Sequence, residues 1–99
     1  MRAIKKYVDR INEEIEDAKN YAEKYVEYKA KNDMYRANKY REISNNELEH
    51  AMIIHEFAVK EVENISKVFT PPVDMLEKWE HAHRKYIEEV AMVKQMLSL

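Results

Sequence analysis

The chain has no cysteine and no glycine, and its only prolines are the adjacent pair Pro71 and Pro72. Without cysteine there is no disulfide framework, no thiolate metal site and no thiol nucleophile. Strands need turns, and turns lean on Gly and Pro, so an all-β fold is excluded. No apolar run reaches the length that crosses a bilayer, and the opening Met1-Arg2-Ala3-Ile4-Lys5-Lys6 lacks the apolar core of a signal peptide. Nor is there a block of one charge: 17 basic and 19 acidic residues are mixed along the chain, for a net charge of -2. Nucleic acid therefore finds no electrostatic footprint. These absences lead us to expect a cytoplasmic protein with no membrane or nucleic-acid partner.

What is present is helix. Ala, Glu, Lys and Met are abundant, and all favour helical backbone. Ile4, Ile11, Ala18 and Tyr25 form one seven-residue column, Val8, Ile15 and Ala22 a second, and Tyr7, Tyr21 and Tyr28 a third. Such spacing predicts a helix over about 3–31 with one wide buried face. Asn32-Asp33 is the break: Asn tolerates the left-handed conformation that closes a helix, and Asp33 is placed to cap the next. The second helix is expected over 33–68 with a column of small residues, Ala37, Ser44, Ala51 and Ala58, that permits close approach. So tight a connection makes the first two helices antiparallel. A third helix is expected over 72–97. It opens either with Thr70 as cap and Pro71 in its first turn, or with Asp74 as cap supported by Glu77. The expected fold is an all-α, antiparallel three-helix bundle in a single domain. At 99 residues only about 60–65% of the unfolded surface is buried, so oligomerisation would complete the core.

The columns have polar gaps. Glu14 interrupts Tyr7–Tyr21–Tyr28, Glu47 interrupts Tyr40–Ile54, and His55 interrupts Leu48–Val62. Glu80 falls between Val73 and Ile87, and His83 between Leu76 and Val90; His50 shares a column with Ile43 and Phe57. His81, in a polar column, stands apart. Glu47 with His50 and Glu80 with His83 are two Glu-x-x-His pairs, each able to aim a carboxylate and an imidazole at one point. That chemistry suits a carboxylate-bridged iron or manganese centre in a helical bundle, with zinc also compatible and no organic cofactor needed. The candidate metal ligands are thus Glu14, Glu47, His50, Glu80 and His83. Asp17, one turn beyond Glu14, and His55 are weaker members, a solvated flank and a core histidine by the simpler reading. The set also fits a structural polar layer in which Glu14 bonds Tyr21 or Tyr40.

Three ordered motifs carry a resemblance to a known family. Glu14-Ile15-Glu16-Asp17-Ala18-Lys19-Asn20-Tyr21-Ala22 resembles the first helix of small ferritin-like proteins from phage and prophage gene clusters of Gram-positive bacteria. Glu47-Leu48-Glu49-His50-Ala51-Met52-Ile53-Ile54-His55 is similar to the family's second helix, and Pro71-Pro72, Met75 and Trp79-Glu80-His81-Ala82-His83 to its third. Distant likeness to rubrerythrin and encapsulated ferritin implies metal, with Glu14, Glu47 and His50 as ligands and Glu80 and His83 as a second pair. Full ferritins have four helices, so three imply either a site completed by a second subunit, in a homo-oligomer, or a smaller site. A redox-active metal with an open position would add oxidase or ferroxidase chemistry. The alternative is a phage-associated interaction or structural protein that acts through a helical surface without metal or catalysis.

Register leaves the third helix open. Glu14 and Glu47 lie at nearly one level, counted from Asn32. A third helix that starts at Pro71 brings His83 level with His55, at 1.5 Å per residue. If Thr70 to Val73 run extended, His83 reaches His50.

Overall fold

The computed structural model describes residues 2–99, which form three helices: α1 Arg2–Ala30, α2 Met34–Val68 and α3 Val73–Leu97. Among the described residues there is no strand, and no helix is long and apolar enough to cross a membrane.

The α1–α2 turn is set by local chemistry. Asn32 has φ of 61°. The Asp33 amide donates to the Tyr28 carbonyl (2.9 Å) and the Asn32 amide to that of Lys29 (3.0 Å). This is the Schellman closure, with Asn in the place glycine usually takes. Asp33 then caps α2 by accepting from the Arg36 amide at 3.1 Å. The second break behaves differently from either expected start. Thr70 to Pro72 lie outside any helix, Pro72 is the cap residue with extended backbone (φ −57°, ψ 144°), and no side chain caps α3. Asp74 sits inside the first turn, where its charge favours the helix dipole.

α2 runs antiparallel to α1, and α3 returns parallel to it. The α1 side chains Ile4 and Val8 line a groove with Met75 and Trp79 near the start of α3. At the other end the Tyr25 hydroxyl donates to the Leu99 carbonyl at 3.4 Å, joined there by Lys29. α1 is therefore the shared partner and supplies Ile4, Ile11, Ile15, Ala18, Ala22 and Tyr25 to the core. α2 contributes mainly small residues, Ala37, Ser44, Ala51 and Ala58, all fully buried. The gap they leave lets Ser44 Oγ donate to the Ala18 carbonyl of α1 at 2.6 Å. That cross-helix bond fixes the register of the pair.

α3 buries Trp79, Val90, Val93 and Leu97. Its Val73–Glu80–Ile87 column, expected to face inward, faces solvent instead: Val73 is 71% and Ile87 52% exposed. α3 packs broadly on α1 alone and approaches α2 closely at few points, so its buried arc is too narrow for three columns. The result is a rod of 55 × 17 × 17 Å.

Candidate metal centre

The register lock determines what meets at the α1–α2 seam. Glu14 lies one turn before Ala18, and Glu47 about one turn after Ser44. In an antiparallel pair joined at Ala18 and Ser44 the two carboxylates come level. His50, one turn further along α2, completes the group: one ligand atom from each of Glu14, Glu47 and His50 lies within 4.8 Å of the others. His50 Nδ1 is 3.6 Å from Glu14 Oε2 and 4.0 Å from Glu47 Oε1.

Burial grades across the group. The Glu14 side chain is 7% exposed, Glu47 21% and His50 57%, so the cluster opens to solvent on the α2 side. Glu14 Oε1 is paired with Arg10 Nη2 at 3.0 Å. Its other oxygen, Oε2, is buried with no hydrogen-bond partner among the described residues. Buried acceptors are ordinarily satisfied, and leaving one without a partner costs about 1–3 kcal/mol. Glu14 acts on its neighbour as well. As hydrogen-bond partner it favours a protonated Glu47; burial and the like charge of Glu14 push the same way, and His50 only partly opposes them. The Glu47 carboxyl is held up at about 7. The proton decides whether the two acids can meet: a protonated Glu47 can donate toward Glu14, whereas an ionised Glu47 cannot, and Glu14 Oε2 is then left without a partner among the described residues.

The remaining sequence candidates lie elsewhere. Asp17 is exposed beside the seam and contributes only a long-range charge to Glu47. Glu80 is exposed in a shallow groove with Leu76, Glu77, His81 and Arg84. His83 is not at His50; it meets His55, with His83 Nδ1 2.9 Å from His55 Nε2. The five-ligand set is therefore divided: Glu14, Glu47 and His50 come together, and the Glu80–His83 pair does not join them. Helix 3 starts too early in its climb for His83 to reach His50. Nor do Tyr21 and Tyr40 satisfy Glu14 Oε2; they stack on each other with ring centroids 6.1 Å apart, and Tyr40 stacks on Tyr28 at 5.5 Å. Arg10 lies outside the apolar columns, although a basic residue four before a gap-filling Glu is a readable i,i+4 signal.

Fold and site together define a helical protein with a two-carboxylate, one-imidazole cluster at the seam of an antiparallel helix pair. No protein-family model matches the chain, and no curated protein or solved structure matches it.

Proposed function

We propose that the chain is a metal-binding helical protein of the ferritin-like kind, holding a divalent transition-metal ion with Glu14, Glu47 and His50. The observation that carries this reading is the orphaned Glu14 Oε2, buried and turned toward the same point as Glu47 and His50. A divalent cation answers that oxygen directly. Charge agrees: two carboxylates facing one guanidinium leave a negative centre, and binding displaces the proton that Glu47 otherwise keeps near neutral pH. Two oxygens and one imidazole nitrogen suit iron, manganese or zinc.

Three protein donors leave coordination positions open. His50 is on the exposed side, and Ile43, Ile53 and Phe57 on the same helix are 37%, 43% and 54% exposed. A second copy laid against this face would cover those apolar groups and bring a second Glu, Glu, His set near the first, giving a homodimer with a shared centre. A redox-active metal there supplies oxidase or ferroxidase chemistry when bound; the role of the chain's own residues is to hold it, with Arg10 steadying Glu14.

Elemental analysis of untagged protein, with melting temperature measured against added Fe²⁺, Mn²⁺ and Zn²⁺, tests the reading. We expect near-stoichiometric metal, lost in Glu47→Ala and His50→Ala, and a melting temperature that rises with metal, because a ligand bound only by the folded state stabilises it. Metal-free protein indifferent to all three ions would reject it. The exposed apolar row on α2 supports one other reading, a helical interaction module, which predicts that second outcome together with a dimer.

A further inference from the structure

Further along α2 from His50, His55 faces His83 of α3. Their ring centroids are 5.0 Å apart with planes 21° apart, and the facing nitrogens are 2.9 Å apart. The rings therefore lie edge to edge and nearly coplanar. Each nitrogen is aimed at the other, not at a common third point, so the geometry suits a shared proton and does not suit a chelated metal. Tyr86 stacks on His55 at 4.0 Å and 7°, and Trp79 lies 5.7 Å from His55 and 5.9 Å from His83.

We propose that the His55–His83 pair is a proton-counting latch, holding α3 against α2 while the pair carries no proton charge or one, and opening when both rings are charged. With both rings neutral, one N–H donates to the other ring's lone pair. With one extra proton the bond persists and is charge-assisted. With two, donors face each other at hydrogen-bond distance, and no acceptor is left between them.

Around His55 little offsets that second charge. From α1 it is approached by Val8, Ile11 and Asn12, none of which ionises. From α3 come Tyr86 and Trp79, and from α2 one carboxylate, Glu56, whose charge favours protonation only weakly against the other influences on His55. Burial first, and then the His83 charge, hold His55 below the usual imidazole range. Release matters structurally because α3 has few other close approaches to α2. The latch is independent of the metal reading, since among the described residues no hydrogen bond, ion pair or ring contact joins His55 or His83 to Glu14, Glu47 or His50.

Two measurements on the full chain, with chelator present, test it. Histidine NMR across about pH 8 to 4 should show the two rings of the pair taking up protons in two separated, coupled steps. Amide-exchange protection in α3 should hold through the first step and fall at least tenfold through the second, while α1 and α2 stay protected. The variant His55→Gln/His83→Asn places amides where the facing nitrogens were and cannot charge; its α3 protection should not change across that range. Independent titration of the two rings, or equal loss of α3 protection in the double variant, would overturn the latch. So would Zn²⁺ without chelator slowing α3 exchange in the wild type but not in the variant, which would make the pair a metal clamp.

Discussion

At the scale of single residues, Glu14 combines burial with charge. It is a nearly buried carboxylate with one oxygen paired to Arg10 and the other unanswered. Replacing it by the isosteric amide, Glu14→Gln, removes the carboxylate that accepts from a protonated Glu47 and, with it, the like charge that also favours that proton. We expect the Glu47 titration to move from about 7 back toward the ordinary carboxylate range, as read by carboxyl NMR. The metal-free variant should also gain about 1 kcal/mol of stability at pH 8, since an incompletely paired buried charge is relieved. Metal affinity should fall by about 100-fold or more, because the variant lacks the ionised oxygen that a divalent cation requires. A variant that bound metal like the wild type would remove Glu14 from the site. Glu14, Glu47 and His50 were visible in the sequence because each stands where a bundle would place an apolar group. Glu80 carried the same signature and lies in water. Three neighbouring apolar columns cannot all face a single partner, and which of them turn inward is decided by packing, not by spacing.

At the scale of elements, the α1–α2 register rests on a few small contacts, and these are open to direct test. Ser44→Ala should cost about 1 kcal/mol, the usual worth of a buried hydrogen bond. Ser44→Leu should cost more, about 1–3 kcal/mol, by overpacking a seam where Ser44 and Ala18 are fully buried. Only the larger substitution should also weaken metal binding, since it alone pushes Glu14 and Glu47 apart; urea denaturation and metal titration of both variants separate the two effects. In the turn, Asn32→Ala should destabilise by about 1 kcal/mol because a Cβ-bearing residue other than Asn strains at φ of 61°. Asn32→Gly should be neutral or better there. This break could be read from sequence because Asn-Asp chemistry is local: both the left-handed closure and the cap belong to adjacent residues. The start of α3 could not, since a Pro-Pro pair permits several starts and the one adopted depends on where α1 receives Trp79. The height of His83, and with it the division of the expected ligand set, follows from that start.

At the scale of the whole molecule, two titrating groups of α2, Glu47 and His55, act in opposite directions. Glu47 is raised in the folded state to about 7 from an ordinary value of 4.5. The folded chain therefore binds more proton than the unfolded one between those values. Stability from this group is fully present below about 4.5 and is lost as pH rises toward and through 7. Solvent at the open rim reduces the effect to roughly 1–2 kcal/mol. His55 is lowered instead, so the folded chain binds less proton than the unfolded one just below the usual imidazole range, and stability falls as pH drops there. The melting temperature of metal-free protein should consequently pass through a maximum between about pH 5 and 7, with the acid limb carried by α3 and the alkaline limb by the α1–α2 seam. Glu47→Gln should flatten the alkaline limb only, and His55→Gln the acid limb only. Saturating metal should lift the alkaline limb most, because there the cation no longer competes with a proton for Glu47. A scan in which metal raised the melting temperature equally at pH 5 and pH 8 would mean that it binds somewhere other than this carboxylate pair.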